Sequence, residues 1–230
     1  MRRAHQGGLF QKHRFQIRWV LIRGKSYFKK GKWEKKKRMK EFVLASASPR
    51  RKELLSQIGI KFRTCTSKKE EEILRSHPEN IVKDLSYTKA RDVYERGNRD
   101  AIVIGADTIV VANEQVLGKP KDENEAFEMI KMLQGDIHRV YTGVSIIWQQ
   151  NNTTHVSSFY AVTEVELYYM NEDEIRSYIR TNEPYDKAGG YAIQGYFARY
   201  VKGIKGDYNN VVGLPIGKLY QVLNSLNLLS

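Results

Sequence analysis

Residues 44–55 read L-A-S-A-S-P-R-R-K-E-L-L. The apolar run Phe42-Val43-Leu44 that leads into them reads as a strand, Ser48 is a favoured N-cap residue, and Pro49 has its φ pre-set for the first helical position. The stretch therefore predicts a strand, a short turn and a helix that starts at Pro49. Arg50 and Arg51 fall in the first turn, where unpaired N–H groups already carry positive partial charge. Each exposed arginine there costs roughly 0.3–1 kcal/mol. An anion beside the turn offsets that cost. Phosphate suits the place, because it accepts from the free N–H groups and from both guanidinium forks. A solvated basic turn is the other reading of the same residues.

Outward from this unit the periodicity keeps changing type. Residues 60–66 read as a strand, and 79–96 as a helix with Ile81, Val82, Leu85 and Val93 on its apolar face. A-I-V-I-G at 101–105 is a buried strand, broken at Ala106-Asp107 and extended again over 108–112, with a hairpin turn at 113–115. Residues 123–133 carry Ala126, Phe127, Ile130 and Leu133 on one helical stripe. Strands are expected at 140–148 and 163–169, separated by a polar, Asn/Thr-rich loop. Asn171 and Glu174 form a capping box for a helix running to Ile179. A strand over 197–204 and a last helix opened by Pro215, with Leu219, Val222, Leu223 and Leu226, complete the order. The mixture predicts an α/β fold, a mixed twisted sheet with flanking helices.

The chain has 230 residues, 41% of them hydrophobic, enough for one globular domain with a sizeable core. Its formal charge of +13 suggests a nucleic-acid binder, but the distribution argues against it. Residues 1–38 hold 14 of the 39 Lys and Arg and one of the 26 acids, Glu34, so the rest of the chain is balanced. The longest apolar run in that leader is Trp19-Val20-Leu21-Ile22, too short for a signal peptide or a membrane span. A transit peptide, or an arm for nucleic acid or anionic lipid, remains open. Met39 stands just before the first strand. Residues 1–38 are thus expected to be a disordered basic extension, upstream sequence from a misassigned start or an artefact, and 39–230 a single domain. Cys65 is the only cysteine, which excludes an intrachain disulfide and makes a reducing cytoplasm the expected setting, with Cys65 as a buried residue on a strand.

Three segments could carry chemistry. Asp107 in G-A-D-T ends a strand of Ile and Val, where α/β sheets place their ligand crevice; it is positioned to bind a metal or accept a proton, or else it caps a turn. Glu70-Glu71-Glu72 is a solvated helix start or a source of oxygen ligands for Mg²⁺ or Mn²⁺ beside Asp107. E-P-Y-D-K-A-G-G-Y-A-I-Q-G at 183–195 has glycines that let backbone approach a ligand, and Gln194 can both donate to and accept from a base edge. It reads equally as a glycine-containing hairpin in which Asp186 pairs with Lys187. Lys89 and Lys119 are ordinary surface lysines unless they face the same cleft. Gly213–Lys218 hints at a phosphate loop but lacks the residue spacing and the Ser or Thr after the lysine. Zinc spacing and a Gly-x-Ser-x-Gly elbow are absent.

Taken in order, A-S-x-S-P-R-R-K-E-L-L, the Glu pair, G-A-D-T-I-V, L-G-K-P, P-Y-D-K-A-G-G-Y-A-I-Q-G and G-D-Y-N-N-V-V-G-L-P resemble the Maf family of nucleoside triphosphate pyrophosphatases over residues 40–228. The resemblance implies an inosine triphosphatase-like fold, two lobes around a central cleft, and hydrolysis of a nucleoside triphosphate to monophosphate and pyrophosphate. Arg50, Thr108 and Gln194 stand at the three positions that separate substrate classes, and they match the branch acting on dTTP and UTP. The branch acting on 7-methyl-GTP would show Trp, Gln and Glu there. Gly190 departs from the family's more usual Ala.

On this reading Asp107 is the catalytic base, Glu70, Glu71 and Asp107 hold a divalent Mg or Mn ion, and Arg50, Arg51, Lys89 and Lys119 neutralise the phosphates. Ser46 joins the substrate-binding set, Gln194 reads the pyrimidine edge and Thr108 limits base size. The expected partner is a small nucleotide, with no nucleic acid or membrane, in a cytoplasmic homodimer. The competing functions are a non-catalytic regulator of cell division and septum formation, and nucleic-acid binding through the basic arm.

Overall fold

The computed structural model describes residues 40–69 and 77–229; the expectations for 1–38, Glu70 and Glu71 lie outside these residues. Strand β1 (Phe42–Leu44) runs into helix α1 (Pro49–Gln57), and the Ser48 hydroxyl accepts from the Arg51 N–H at 3.5 Å, so the helix begins where Ser-Pro predicts. β2 (Phe62–Thr64) and α2 (Pro78–Glu95) follow. Then come β3 (Ile102–Ala112), β4 (Gln115–Leu117), α3 (Glu123–Leu133), β5 (Ile137–Gln150), β6 (Thr153–Leu167) and α4 (Glu172–Ile179). Three short 3₁₀ turns lead to β7 (Val201–Lys205), α5 (Tyr208–Val212) and α6 (Ile216–Ser225). The sheet order is β2-β1-β3-β5-β6-β7, with β4 beside β3; β1 pairs in parallel with β2 and β3, and the remaining pairs are antiparallel.

Four expectations need correction. The break at Ala106-Asp107 does not exist: β3 is continuous, with Asp107 opposite Gly143. The Asn/Thr-rich loop is also strand, because a two-residue turn at Asn151-Asn152, both with positive φ, closes a long β5–β6 hairpin whose tip, residues 151–154, is exposed. Residues 196–200 form a 3₁₀ turn before β7 rather than its first half. Cys65 lies one residue beyond β2 and is half-buried.

Alternation along β3 sets the layers. Ile102, Ile104 and Ala106 pack with Leu54 and Leu55 of α1 and Leu219 and Leu223 of α6. Further along the same face, Val110 and Ala112 pack with Ala126, Phe127 and Ile130 of α3 and Ile175 of α4. Thr108 falls between these two clusters. On the other face Val103 and Ile109 meet α2. That helix lies unusually close to the sheet. A Cβ on Gly105 would sit 2.3 Å from the Ser86 carbonyl oxygen, and one on Gly143 only 2.1 Å from that of Val82. The two glycines let α2 settle deep enough for Lys89 to reach the middle of β3.

Candidate active site

The sheet has a gap at its centre. β1 pairs with β3 only as far as Leu44 opposite Ile104, and β4 joins the same side of β3 only from Val110 onward. Among the described residues, 105–109 therefore have β5 on one side and no strand on the other, and the cleft there is lined by Lys89 of α2 on one face and by Arg50 and Arg51 of α1 on the other. This is the end-of-strand crevice that α/β sheets offer to ligands.

Asp107 stands in that gap with its side chain toward α2, where it forms an ion pair with the Lys89 ammonium; the two side chains are 7% and 15% exposed. So small an exposure puts both charges at the cleft floor rather than on the surface. From the opposite face, α1 brings its first turn to the cleft. Arg51 Nε donates to the Gly213 carbonyl at 2.8 Å, and its Nη2 donates to the Thr108 hydroxyl at 2.9 Å. Arg50 lies 3.7 Å from the Asp186 carboxylate. Burial alone would raise the Asp186 carboxyl, but the Lys187 ammonium, 2.5 Å away, and the Arg50 guanidinium outweigh it and hold it below the usual carboxylate range. The expected Asp186–Lys187 pair is therefore present, and it is shared with Arg50.

The 183–195 segment folds as two 3₁₀ turns, Pro184–Asp186 and Ala188–Gly190, not as a hairpin. Gly189 adopts φ 69°, a Cβ on it would sit 3.0 Å from the Val110 side chain, and its N–H donates to the Gly118 carbonyl at 2.9 Å. That bond ties this segment to the L-G-K-P turn, so Lys119 and Gln194 come to one rim. Tyr191 forms part of the wall. Its hydroxyl lies 2.5 Å from Nε2 of the buried His138, and burial pushes that imidazole down to about 4 against the pull of Asp136.

Arg50, Arg51, Lys89, Asp107, Thr108, Lys119 and Gln194 thus line one cleft. Ser46 does not: it is buried, and its hydroxyl accepts from the Ser48 N–H at 3.2 Å, so Ser46 shapes the loop while Ser48 reaches the cleft. Among the described residues no three His, Cys, Asp or Glu come together as a metal-binding group. Val211, Val212 and Gly213 also line the cleft, and the Gly213 carbonyl accepts from Arg51.

The family described as Maf-like protein matches residues 41–226. The chain belongs to the Maf family. Among its Maf relatives, a dTTP/UTP pyrophosphatase of Agathobacter rectalis is 48% identical over 201 residues, covering 82% of this chain and 98% of the relative. One of Thermoanaerobacter pseudethanolicus is 52% identical over 183 residues, covering 80% and 95%. A third, from Bacillus cereus, is 48% identical over 191 residues, covering 83% and 92%. The mixed sheet and flanking helices described above are the fold that the resemblance implied.

Proposed function

We propose that this chain hydrolyses dTTP and UTP to the monophosphate and pyrophosphate. One observation carries the reading: a buried carboxylate on the central strand, Asp107, shares its cleft with cations delivered from three separate elements, α1, α2 and the turn after β4. A structural ion pair needs only Lys89. Arg50, Arg51 and Lys119 line the same space, and cations gathered from separate elements suit a ligand that carries several negative charges, such as a triphosphate. The names of the relatives point to the same substrates.

In this reading the triphosphate lies along Arg50, Arg51 and Lys119. Asp107 takes a proton from a water whose oxygen attacks the α-phosphorus; the bond from that phosphorus to the bridging oxygen breaks, and pyrophosphate leaves in line. Lys89 pairs with Asp107 and steadies its carboxylate at the cleft floor. Gln194, exposed on the rim, meets the pyrimidine edge with one donor and one acceptor group, and Thr108 bounds the space beside it. A divalent ion, Mg²⁺ or Mn²⁺, belongs to the proposal. Asp107 is one oxygen donor, Glu70 and Glu71 would be the others, and a single protein carboxylate with substrate phosphates is an ordinary Mg²⁺ ligand set. Bound there, the ion would neutralise phosphate charge. Residues 39–230 as one catalytic domain, a cytoplasmic setting and a homodimer are parts of the same proposal; among the described residues no helix is long and apolar enough to cross a membrane.

The test is a nucleotide panel with Mg²⁺ or Mn²⁺, scored for pyrophosphate against orthophosphate. dTTP and UTP are expected to give monophosphate and pyrophosphate ahead of the purine nucleotides. Release of orthophosphate, or equal rates on all bases, contradicts the assignment.

A further inference from the structure

Behind the cleft, hydrogen bonds run from Arg51 to the backbone of α5. The Arg51 guanidinium donates to Thr108 Oγ1 at 2.9 Å, Thr108 Oγ1 lies 2.9 Å from Thr142 Oγ1, and Thr142 Oγ1 donates to the Asn210 carbonyl at 2.9 Å. The ends fix the direction of the whole chain. A guanidinium only donates and a carbonyl only accepts, and each hydroxyl has one proton. Thr142 must therefore give its proton to Asn210, which leaves it to accept from Thr108, and Thr108 in turn accepts from Arg51. Each bond polarises the next. The terminus of the chain is itself anchored: Asn210 is fully buried, and its Nδ2 donates to the Val140 carbonyl and to Thr163 Oγ1, each at 3.0 Å.

We propose that Thr142, fully buried and outside the lining of the cleft, is a positioning residue that holds the Arg51 guanidinium at the angle needed to grip the phosphates. This rests on the reading of Arg51 as a phosphate ligand. It also assigns Thr108 a narrower role than a general polar contact: with its proton committed to Thr142, Thr108 can only accept from a substrate. The α5 segment G-D-Y-N-N-V-V-G-L-P gains a function, since it supplies the two carbonyls, Asn210 and Gly213, that fix the two sides of Arg51.

The experiment is titration calorimetry of inorganic pyrophosphate binding, which reads the grip without needing turnover. Thr142→Val keeps the shape and deletes the hydroxyl, and is expected to weaken pyrophosphate affinity roughly tenfold, the size of one lost hydrogen bond to an oriented charge. Thr142→Ser restores the hydroxyl and is expected to bind within about twofold of the wild type. In an Arg51→Lys background, which has no planar fork to orient, Thr142→Val is expected to add less than about twofold. Should Thr142→Val not fold, Thr142→Cys, a weak donor of similar size, carries the same expectation with a smaller loss. The proposal is overturned by unchanged affinity in Thr142→Val, by an equal loss with Lys at position 51, or by a wild type that does not bind pyrophosphate. Arg51-dependent, Thr142-dependent binding without dTTP hydrolysis supports the positioning role and defeats the reaction assigned above; hydrolysis with affinity indifferent to Thr142 does the reverse.

Discussion

Asp107→Asn is expected to lower kcat for dTTP on the order of 10³-fold, within the span that a positioned general base contributes. The substitution keeps shape and removes the carboxylate's charge, and with it the ability to take a proton. It also takes the Asp107 charge away from the Lys89 ammonium, and weakening a buried pair is costly. Here the Lys89 side chain keeps 15% of its surface at an open cleft, so water can solvate it and a bound phosphate can serve as its counter-charge. A lower melting temperature is therefore expected alongside an unchanged far-ultraviolet circular dichroism spectrum, with pyrophosphate still bound. Rates measured well below the melting transition separate the two effects. Near-normal pyrophosphate release by the folded variant would remove Asp107 from the role of base.

Acid is expected to destabilise this fold through His138. The imidazole is 3% exposed, with Nδ1 unpartnered, and its pKa falls from the ordinary 6.5 to about 4. The unfolded chain binds a proton below pH 6.5, whereas the folded chain does so only below about pH 4. Between those values the unfolded state holds more protons, so stability decreases as pH falls, by about 3 kcal/mol in all from this group. Above pH 6.5 the imidazole is neutral in both states and its contribution is flat. Denaturant titrations at several pH values check this, with His138→Gln as control: glutamine keeps a polar atom near the Tyr191 hydroxyl and has no titrating group. An identical pH slope in wild type and variant contradicts the assignment. The consequence reaches function, because Tyr191 is part of the cleft wall and His138 is its hydrogen-bond partner.

Local signals were readable where local chemistry decides the outcome. Ser48-Pro49 places the start of α1 and the Asn171/Glu174 box places that of α4, because both are caps made by neighbouring residues. The 123–133 stripe is α3 residue for residue, since a helix with one buried face writes its period into the sequence. Tertiary pairing was not readable in the same way. Ala106-Asp107 suggested a break because Asp is rare inside a strand, yet β5 pairs along the whole of β3 and the Asp107 charge is met by Lys89 from α2. The polar run 149–162 lacked a buried face to betray it as strand, and only the two asparagines of its turn hint at the hairpin.

The site followed the same division. Side chains with a chemical signature, Asp107, Lys89, Arg50, Arg51, Lys119 and Gln194, are legible in the sequence and line one cleft. Thr142 and the carbonyls of Asn210 and Gly213 are not, because their part depends on where distant backbone folds back. The Gly105 and Gly143 clearances were equally hidden, as each depends on the approach of α2.

In the proposed reaction this cleft directs water onto the innermost phosphorus of a nucleoside triphosphate. Hydrolysis of dTTP in ¹⁸O-labelled water, read by mass spectrometry of both products, tests it most directly. The account predicts the heavy oxygen in dTMP and none in pyrophosphate; label in pyrophosphate would place the attack on the β-phosphorus and contradict it.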